Sequence, residues 1–246
     1  MAKLKVIISG GGTGGHIFPA IAIANAIKKL RPDTEFLFVG ALGRMEMTKV
    51  PEAGFEIVGL PIMGLQRKLT LKNLKFPFML LKSAAMAKRL VKSFKSDVAI
   101  GVGGYASGPL LRAANKAKVP TLLQEQNSYA GLTNKILGKE ASKICVAYDG
   151  MQAFFPKEKI ILTGNPVRSE VIKLEGKKER AIEFFELDST KKTVLVVGGS
   201  LGAWSINEAV ENAIDAWEKK GIQVVWQTGK LFHERAQKAA VGKESW

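Results

Sequence analysis

The chain has 246 residues, 46% of them hydrophobic, with a formal net charge of +15 and one cysteine. That is enough apolar material for one large or two ordinary domains, while a lone cysteine excludes an internal disulfide and a cysteine-built metal cluster and points to the cytosol. No apolar run reaches the length of a membrane-spanning helix, and Met1 leads into the first strand without a signal-peptide core, so neither export nor a spanning segment is expected.

The charge is uneven: residues 1–165 carry a net of +14 and residues 166–246 a net of +1. Nucleic acid, an anionic membrane surface or phosphorylated substrates could each draw on such a balance. Val6-Ile7-Ile8 reads as a buried strand, followed by Gly10-Gly11-Gly12-Thr13-Gly14-Gly15-His16 and a helix over residues 17–30 with Pro19 in its first turn. Glycines bring bare N–H groups up to a ligand, and a helix N-terminus favours negative charge, so this loop is expected to be an anion site. The alternative is that the glycines only make a tight turn. Gly10, Gly12 and Gly15 fit the dinucleotide pattern, but the second strand, residues 35–39, runs into Gly40-Ala41-Leu42-Gly43 with no acid to hold a ribose, which disfavours a nicotinamide-dependent dehydrogenase.

A short helix over residues 45–53 and a strand over 56–60 come next. Residues 57–96 then contain no Asp or Glu but hold Arg67, Lys68, Lys72, Lys75, Lys82, Lys88, Arg89, Lys92 and Lys95. A helix starting at Pro77 is surrounded by Phe76, Phe78, Met79, Leu80 and Leu81. Two readings stand: a patch for an anionic bilayer surface, or a buried helix with a solvated lysine face. Nucleic acid ranks lower, because no recognised binding motif accompanies the charge.

A strand over residues 97–102 enters a second glycine loop, Gly103-Gly104-Tyr105-Ala106-Ser107-Gly108-Pro109, and a helix follows to about residue 116. A strand over 120–124 ends in Glu125-Gln126-Asn127, and Gly131-Leu132-Thr133-Asn134 opens another helix, so polar groups gather at a strand's carboxyl end, where open α/β sheets bind ligands. Cys145, in a strand over 142–146, reads as a small core residue; a further strand spans 159–162. Alternating strands and helices imply an α/β fold with a parallel sheet over residues 1–165.

Thr163-Gly164-Asn165-Pro166-Val167-Arg168 reads as a linker and residues 170–187 as a charged helix; a strand over 193–197 leads to a third glycine loop, Gly198-Gly199-Ser200-Leu201-Gly202-Ala203. Shifted by 187 positions, Gly11, Gly12, Gly15, Ala22, Asn25, Ala26 and Ile27 fall on Gly198, Gly199, Gly202, Ala209, Asn212, Ala213 and Ile214. The chain therefore contains two related halves, expected as two Rossmann-like domains facing a cleft. Residues 166–246 add only a strand over 222–227 and a helix from about residue 231, an incomplete second domain; His233 in that helix is expected to be solvated.

These motifs together resemble the MurG family of bacterial glycosyltransferases, which add N-acetylglucosamine to undecaprenyl-pyrophosphoryl-muramyl-pentapeptide, lipid I, to give lipid II. The resemblance runs the length of the chain. It implies a GT-B fold and an inverting, UDP-N-acetylglucosamine-dependent transfer in peptidoglycan synthesis, with residues 1–165 taking the acceptor at the cytoplasmic face of the membrane and the second domain taking the donor. Anionic lipid and cell-wall synthesis proteins are further implied partners; no cofactor or metal is implied. Thr13, Gly14, Gly15, Asn127, Arg168 and Ser200 would correspond to donor-contacting positions and His16 to the candidate base, its place at a helix N-terminus biasing it to the neutral form a base needs. Tyr105, Asn134, Gly199 and Gly202 would support the site, and Glu125 is either catalytic or a holder of backbone amides. Leu201, Trp204 and Gln124 stand where relatives carry Gln, Arg and, in some, His. The missing remainder of the second domain implies that these residues alone are inactive. The rival reading is a non-catalytic acceptor-docking subunit that needs a separate donor-binding chain.

Overall fold

The computed structural model describes residues 3–62, 76–199 and 201–243. The chain divides into two compact units, residues 1–172 and 173–246. In the first unit, among the described residues, β1 (Lys5–Gly10), β2 (Glu35–Ala41), β3 (Ile57–Leu60), β4 (Val98–Gly103), β5 (Thr121–Glu125), β6 (Lys143–Val146) and β7 (Ile160–Leu162) form one sheet in the order β3-β2-β1-β4-β5-β6-β7. All neighbours pair in parallel. The helices between strands are α1 (Gly14–Leu30), α2 (Glu46–Glu52), α3 (Phe76–Phe94), α4 (Ser107–Lys116) and α5 (Leu132–Gly138).

Side chains alternate across a strand, so the unbroken apolar runs supply both faces at once. Val6, Ile8 and Phe38 pack on Ile17, Ala20, Ala24 and Val50 of α1 and α2. Ile7, Leu37, Val39, Leu123 and Ile144 belong to the opposite core with Ala87, Val91, Leu110 and Leu111 of α3 and α4. The chain order reverses between β1 and β4, and there the carboxyl ends of neighbouring strands open a crevice. The first two glycine loops meet at that point.

α1 starts at Gly14, three residues before the expected start at Ile17, because the Thr13 carbonyl accepts the His16 and Ile17 N–H groups and turns the glycine motif into the first helical turn. Pro19 consequently lies beyond that turn. The charged helix expected over residues 170–187 is broken into α6 (Ser169–Ile172) and α7 (Lys177–Phe184), with Gly176 at φ +64° between them. Cys145 is half-buried rather than core, with its thiol held above its ordinary value by burial, against the lowering effect of a Thr163 hydrogen bond.

The second unit pairs β8 (Lys192–Val197) with β9 (Ile222–Gln227) in parallel, next to α8 (Trp204–Glu218) and α9 (His233–Ala240). The internal repeat is visible in its register. Lys5 pairs with Glu35 in the first unit, and Lys192 with Ile222 in the second, the same two positions moved by 187. Gly12 and Gly199, related by that shift, are both left-handed, at φ +87° and +83°. His233 is exposed.

Candidate active site

The glycine loop after β1 and the one after β4 are fitted to each other. The Gly11 N–H donates to the Gly103 carbonyl at 3.3 Å, and a Cβ on Gly104, itself at φ +93°, would collide with the Gly11 carbonyl oxygen. Buried Ser107 donates to either the Ser9 or the Gly103 carbonyl, at 3.0 and 2.9 Å, and the Ser9 hydroxyl donates to Val39 at 2.8 Å. Three adjacent strands are thereby tied just below the loops.

His16 sits in the first turn of α1, its ring against Gly103: a Cβ there would stand 2.7 Å from Cδ2 and 2.8 Å from Nε2. Its Nδ1 lies 3.1 Å from the Gly11 carbonyl oxygen and 3.4 Å from Thr13 Oγ1. A carbonyl can only accept, so Nδ1 carries the proton and Nε2 keeps its lone pair in the neutral ring.

Glu125, buried at the end of β5, accepts four hydrogen bonds. Oε1 takes the backbone and side-chain N–H groups of Asn127, both at 3.1 Å, and Oε2 takes the Gly131 N–H at 3.1 Å and Asn134 Nδ2 at 2.9 Å. Of the two readings of this residue, the geometry is that of a holder of the β5–α5 loop. Gln126 Nε2 bridges the Val102 and Gln124 carbonyls at 2.9 and 3.0 Å, joining the ends of β4 and β5.

Thr13, His16, Tyr105, Glu125, Asn127 and Asn134 line one cavity of about 1240 Å³. Its far wall is apolar and basic, built from Phe76, Leu80, Leu81 and Lys88 of α3, Arg112 of α4 and Ile136 of α5. Gly14 and Gly15 stand at the start of α1 outside this lining. Arg168 is not gathered there either; its guanidinium stacks 4.2 Å from the Phe18 ring and borders a smaller hollow with Asn25, Lys49 and Glu52. Gly199 and Gly202 belong to the second unit, where a Cβ on Gly202 would overlap the Thr228 carbonyl. Ser200 lies outside the described residues, as do Arg67, Lys72 and Lys75 of the basic patch. Within that patch, Phe78 is 75% exposed, Met79 is half-buried and Lys82 is exposed. Trp204 packs edge-on against Phe232 at 5.2 Å.

β2 ends at Ala41 with no acid at its end, as expected, but an acid from the next helix folds back onto it. Glu46, at the start of α2, reaches back so that Oε1 accepts the Ala41 N–H at 2.9 Å and Oε2 accepts the Gly12 N–H at 2.8 Å. At Gly12, then, the anion on the first glycine loop is the protein's own carboxylate. Sequence reasoning passed over Glu46; its signal was an acid opening a helix just after Gly40-Ala41, facing a loop already read as anion-binding.

The N-terminal domain of glycosyltransferase family 28 matches residues 6–146. The chain belongs to glycosyltransferase family 28. The C-terminal domain of the same family matches residues 193–245. Two curated relatives bear the name UDP-N-acetylglucosamine–N-acetylmuramyl-(pentapeptide) pyrophosphoryl-undecaprenol N-acetylglucosamine transferase. The one from Parabacteroides distasonis is 56% identical over 97% of this chain and 65% of its own length. That from Phocaeicola vulgatus is 58% identical over 96% of this chain and 63% of its own. The crystal structure of Acinetobacter baumannii MurG superposes with a TM-score of 0.68 at 28% identity, covering 98% of this chain and 63% of that one. The MurG resemblance and the α/β fold class read from the motifs are borne out, and the chain spans 63–65% of the length of these relatives. The UDP-GlcNAc 2-epimerase of Neisseria meningitidis, TM-score 0.66 at 12% identity, shares the fold alone.

Proposed function

We propose that the chain is the acceptor-side domain and first part of the donor domain of an inverting transferase that moves N-acetylglucosamine from UDP-N-acetylglucosamine to lipid I. The observation that carries this reading is the 3.1 Å contact of His16 Nδ1 with the Gly11 carbonyl, which calls for the proton on Nδ1 and leaves Nε2 free to accept in a residue lining the cavity at the sheet's reversal point. Nε2 would take the proton of the acceptor hydroxyl as its oxygen attacks the sugar's anomeric carbon. The bond to UDP breaks with its electron pair leaving on the diphosphate, and one displacement inverts the carbon. By the family resemblance, the leaving charge would fall to the donor-contacting positions, Arg168 and Ser200 among them. Glu125 acts as an organiser that presents Asn127 and Asn134 to the substrate. The rival of a non-catalytic docking subunit is not favoured, since the relatives are named as transferases along nearly all of this chain.

Among the described residues no helix is long and apolar enough to cross a membrane. We further propose attachment at the cytoplasmic face through the start of α3, where Phe78 and Leu81 stand exposed beside Lys82. A transfer assay with a lipid I analogue, in a chain spanning the full length of the relatives, tests the proposal. His16→Ala should lower kcat by about 10²–10⁴-fold with little change in donor KM. A loss confined to donor KM would make His16 a binding residue, and no transfer by the unsubstituted enzyme would overturn the reading.

A further inference from the structure

We infer that Glu46 is a positioning residue for His16 and acts through the single peptide group between Gly11 and Gly12. The N–H of that group donates to Glu46 Oε2 at 2.8 Å, and its C=O accepts the His16 Nδ1–H at 3.1 Å. Carboxylate, peptide and imidazole thus form one hydrogen-bonded chain, in which each bond polarises the next. A carboxylate on the N–H side draws electron density toward the carbonyl oxygen and makes it a better acceptor for Nδ1–H. The peptide does for His16 what a directly bonded carboxylate does in a hydrolase triad: it fixes the tautomer and the ring orientation.

The surroundings are shaped for this carboxylate. Glu46 is 1% exposed, and its other oxygen is held by the Ala41 N–H at the end of β2, so it cannot turn away without leaving a buried charge unpaired. A Cβ on Gly11 would overlap the carboxylate, and one on Gly40 would meet its stem. The internal repeat gives an independent comparison. Under the shift of 187 positions His16 falls on Ala203 and Glu46 on exposed His233, whereas the left-handed glycine is kept. The half without the histidine has no acid at the matching position, and Glu234 one residue on is exposed, so the buried carboxylate goes with His16 and not with the glycine turn.

The role of this chain of bonds in proton transfer rests on His16 being the base; its test does not. The ¹⁵N-labelled 246-residue chain has two histidines, and exposed His233 serves as internal reference. Long-range ¹H–¹⁵N correlation at neutral to alkaline pH should show His16 as a single Nδ1–H tautomer. Glu46→Gln offers one acceptor oxygen for two N–H groups and no charge. It should shift the His16 Nε2 resonance toward the protonated position, as the other tautomer becomes populated, and leave His233 unmoved; Glu46→Asp should restore part of the shift. His16 nitrogens unmoved in the Gln variant would overturn the inference. Should that variant not fold, the unsubstituted chain decides: a Gly12 amide exchanging with solvent like an open loop amide, or His16 in the Nε2–H form, overturns it, and a protected Gly12 amide with the Nδ1–H form supports it. An intact tautomer in an enzyme without transfer activity would sink the proposed function and leave this inference standing. Unmoved nitrogens in an active enzyme would do the reverse.

Discussion

Four N–H groups converge on the buried carboxylate of Glu125, and removing it takes the acceptor from all four, the amide of buried Asn134 among them. Hydrogen bonds to a charged acceptor are the stronger kind, so Glu125→Ala should destabilise the first unit by about 3 kcal/mol, and Glu125→Gln, which keeps one acceptor oxygen, by about half of that. Urea unfolding checks both; an alanine variant within about 0.5 kcal/mol of the parent would show that Glu125 organises nothing. The glycines make a second test with its own control. At Gly104 a side chain is strained by φ +93° and also strikes the Gly11 carbonyl, whereas Gly43, at φ +70°, has nothing within 4 Å. Gly43→Ala should therefore cost only the backbone strain, about 1 kcal/mol, and Gly104→Ala about 2–4 kcal/mol with loss of the Gly11–Gly103 bond. Equal costs in the same unfolding experiment would mean that the two loops are not fitted together as described.

At the scale of elements, the sequence shows what is local. Val6-Ile7-Ile8 before a glycine run, and residues 193–197 before another, identify β1 and β8 because a parallel strand reads as an apolar run and a close backbone turn needs glycine; β1 is buried, whereas β8 is partly exposed. The same logic brought Thr13 and His16 to the carboxyl end of β1 and Glu125 and Asn127 to that of β5, on either side of β4. Glu46 left only the signal of an acid opening a helix, since its bond to Gly12 spans 34 positions and depends on α2 folding back over the end of β2. The hold of Glu125 on Asn134 depends on the first turn of α5 coming back to the end of β5, which residue order alone does not show. Nor could the sequence decide the environment of α3. In the structure its buried stripe is narrow, Ser83, Ala87 and Val91, and the large apolar groups at its start lie elsewhere: Phe76 and Leu80 on the cavity wall, Phe78 in the open. A solvated phenylalanine next to lysines is suited to an anionic bilayer surface. The chain should co-sediment with vesicles rich in anionic lipid, more weakly as salt screens the lysines, and Phe78→Ser should reduce binding several-fold at fixed salt. Binding unchanged by both salt and substitution would exclude α3 as the attachment site.

The 246 residues form two units whose strands are covered to very different degrees, which fixes how they should come apart. In the first, β1, β4 and β5 lie inside a seven-stranded sheet with helices on both faces, and their core side chains are excluded from water. In the second, among the described residues, the sheet has two strands, and β8 exposes Leu195 by 66% and Val197 by 57%. A two-stranded sheet with one poorly covered face is marginal, whereas a covered seven-stranded sheet unfolds as a block. The chain between them is the short helix α6, the turn at Gly176 and α7, in which no residue is buried and Phe184 is 80% exposed. Backbone bonds of this kind open at low cost, and proteases act on what opens. Limited proteolysis of the 246-residue chain should therefore cut first between residues 168 and 192. It should release a resistant N-terminal fragment and degrade the second unit next, and thermal unfolding should show a low transition that the isolated fragment lacks. First cuts within β4 to β6, or one transition in which both units unfold together, would mean that the second unit is stabilised as firmly as the first, and the difference in burial would then have no bearing on stability.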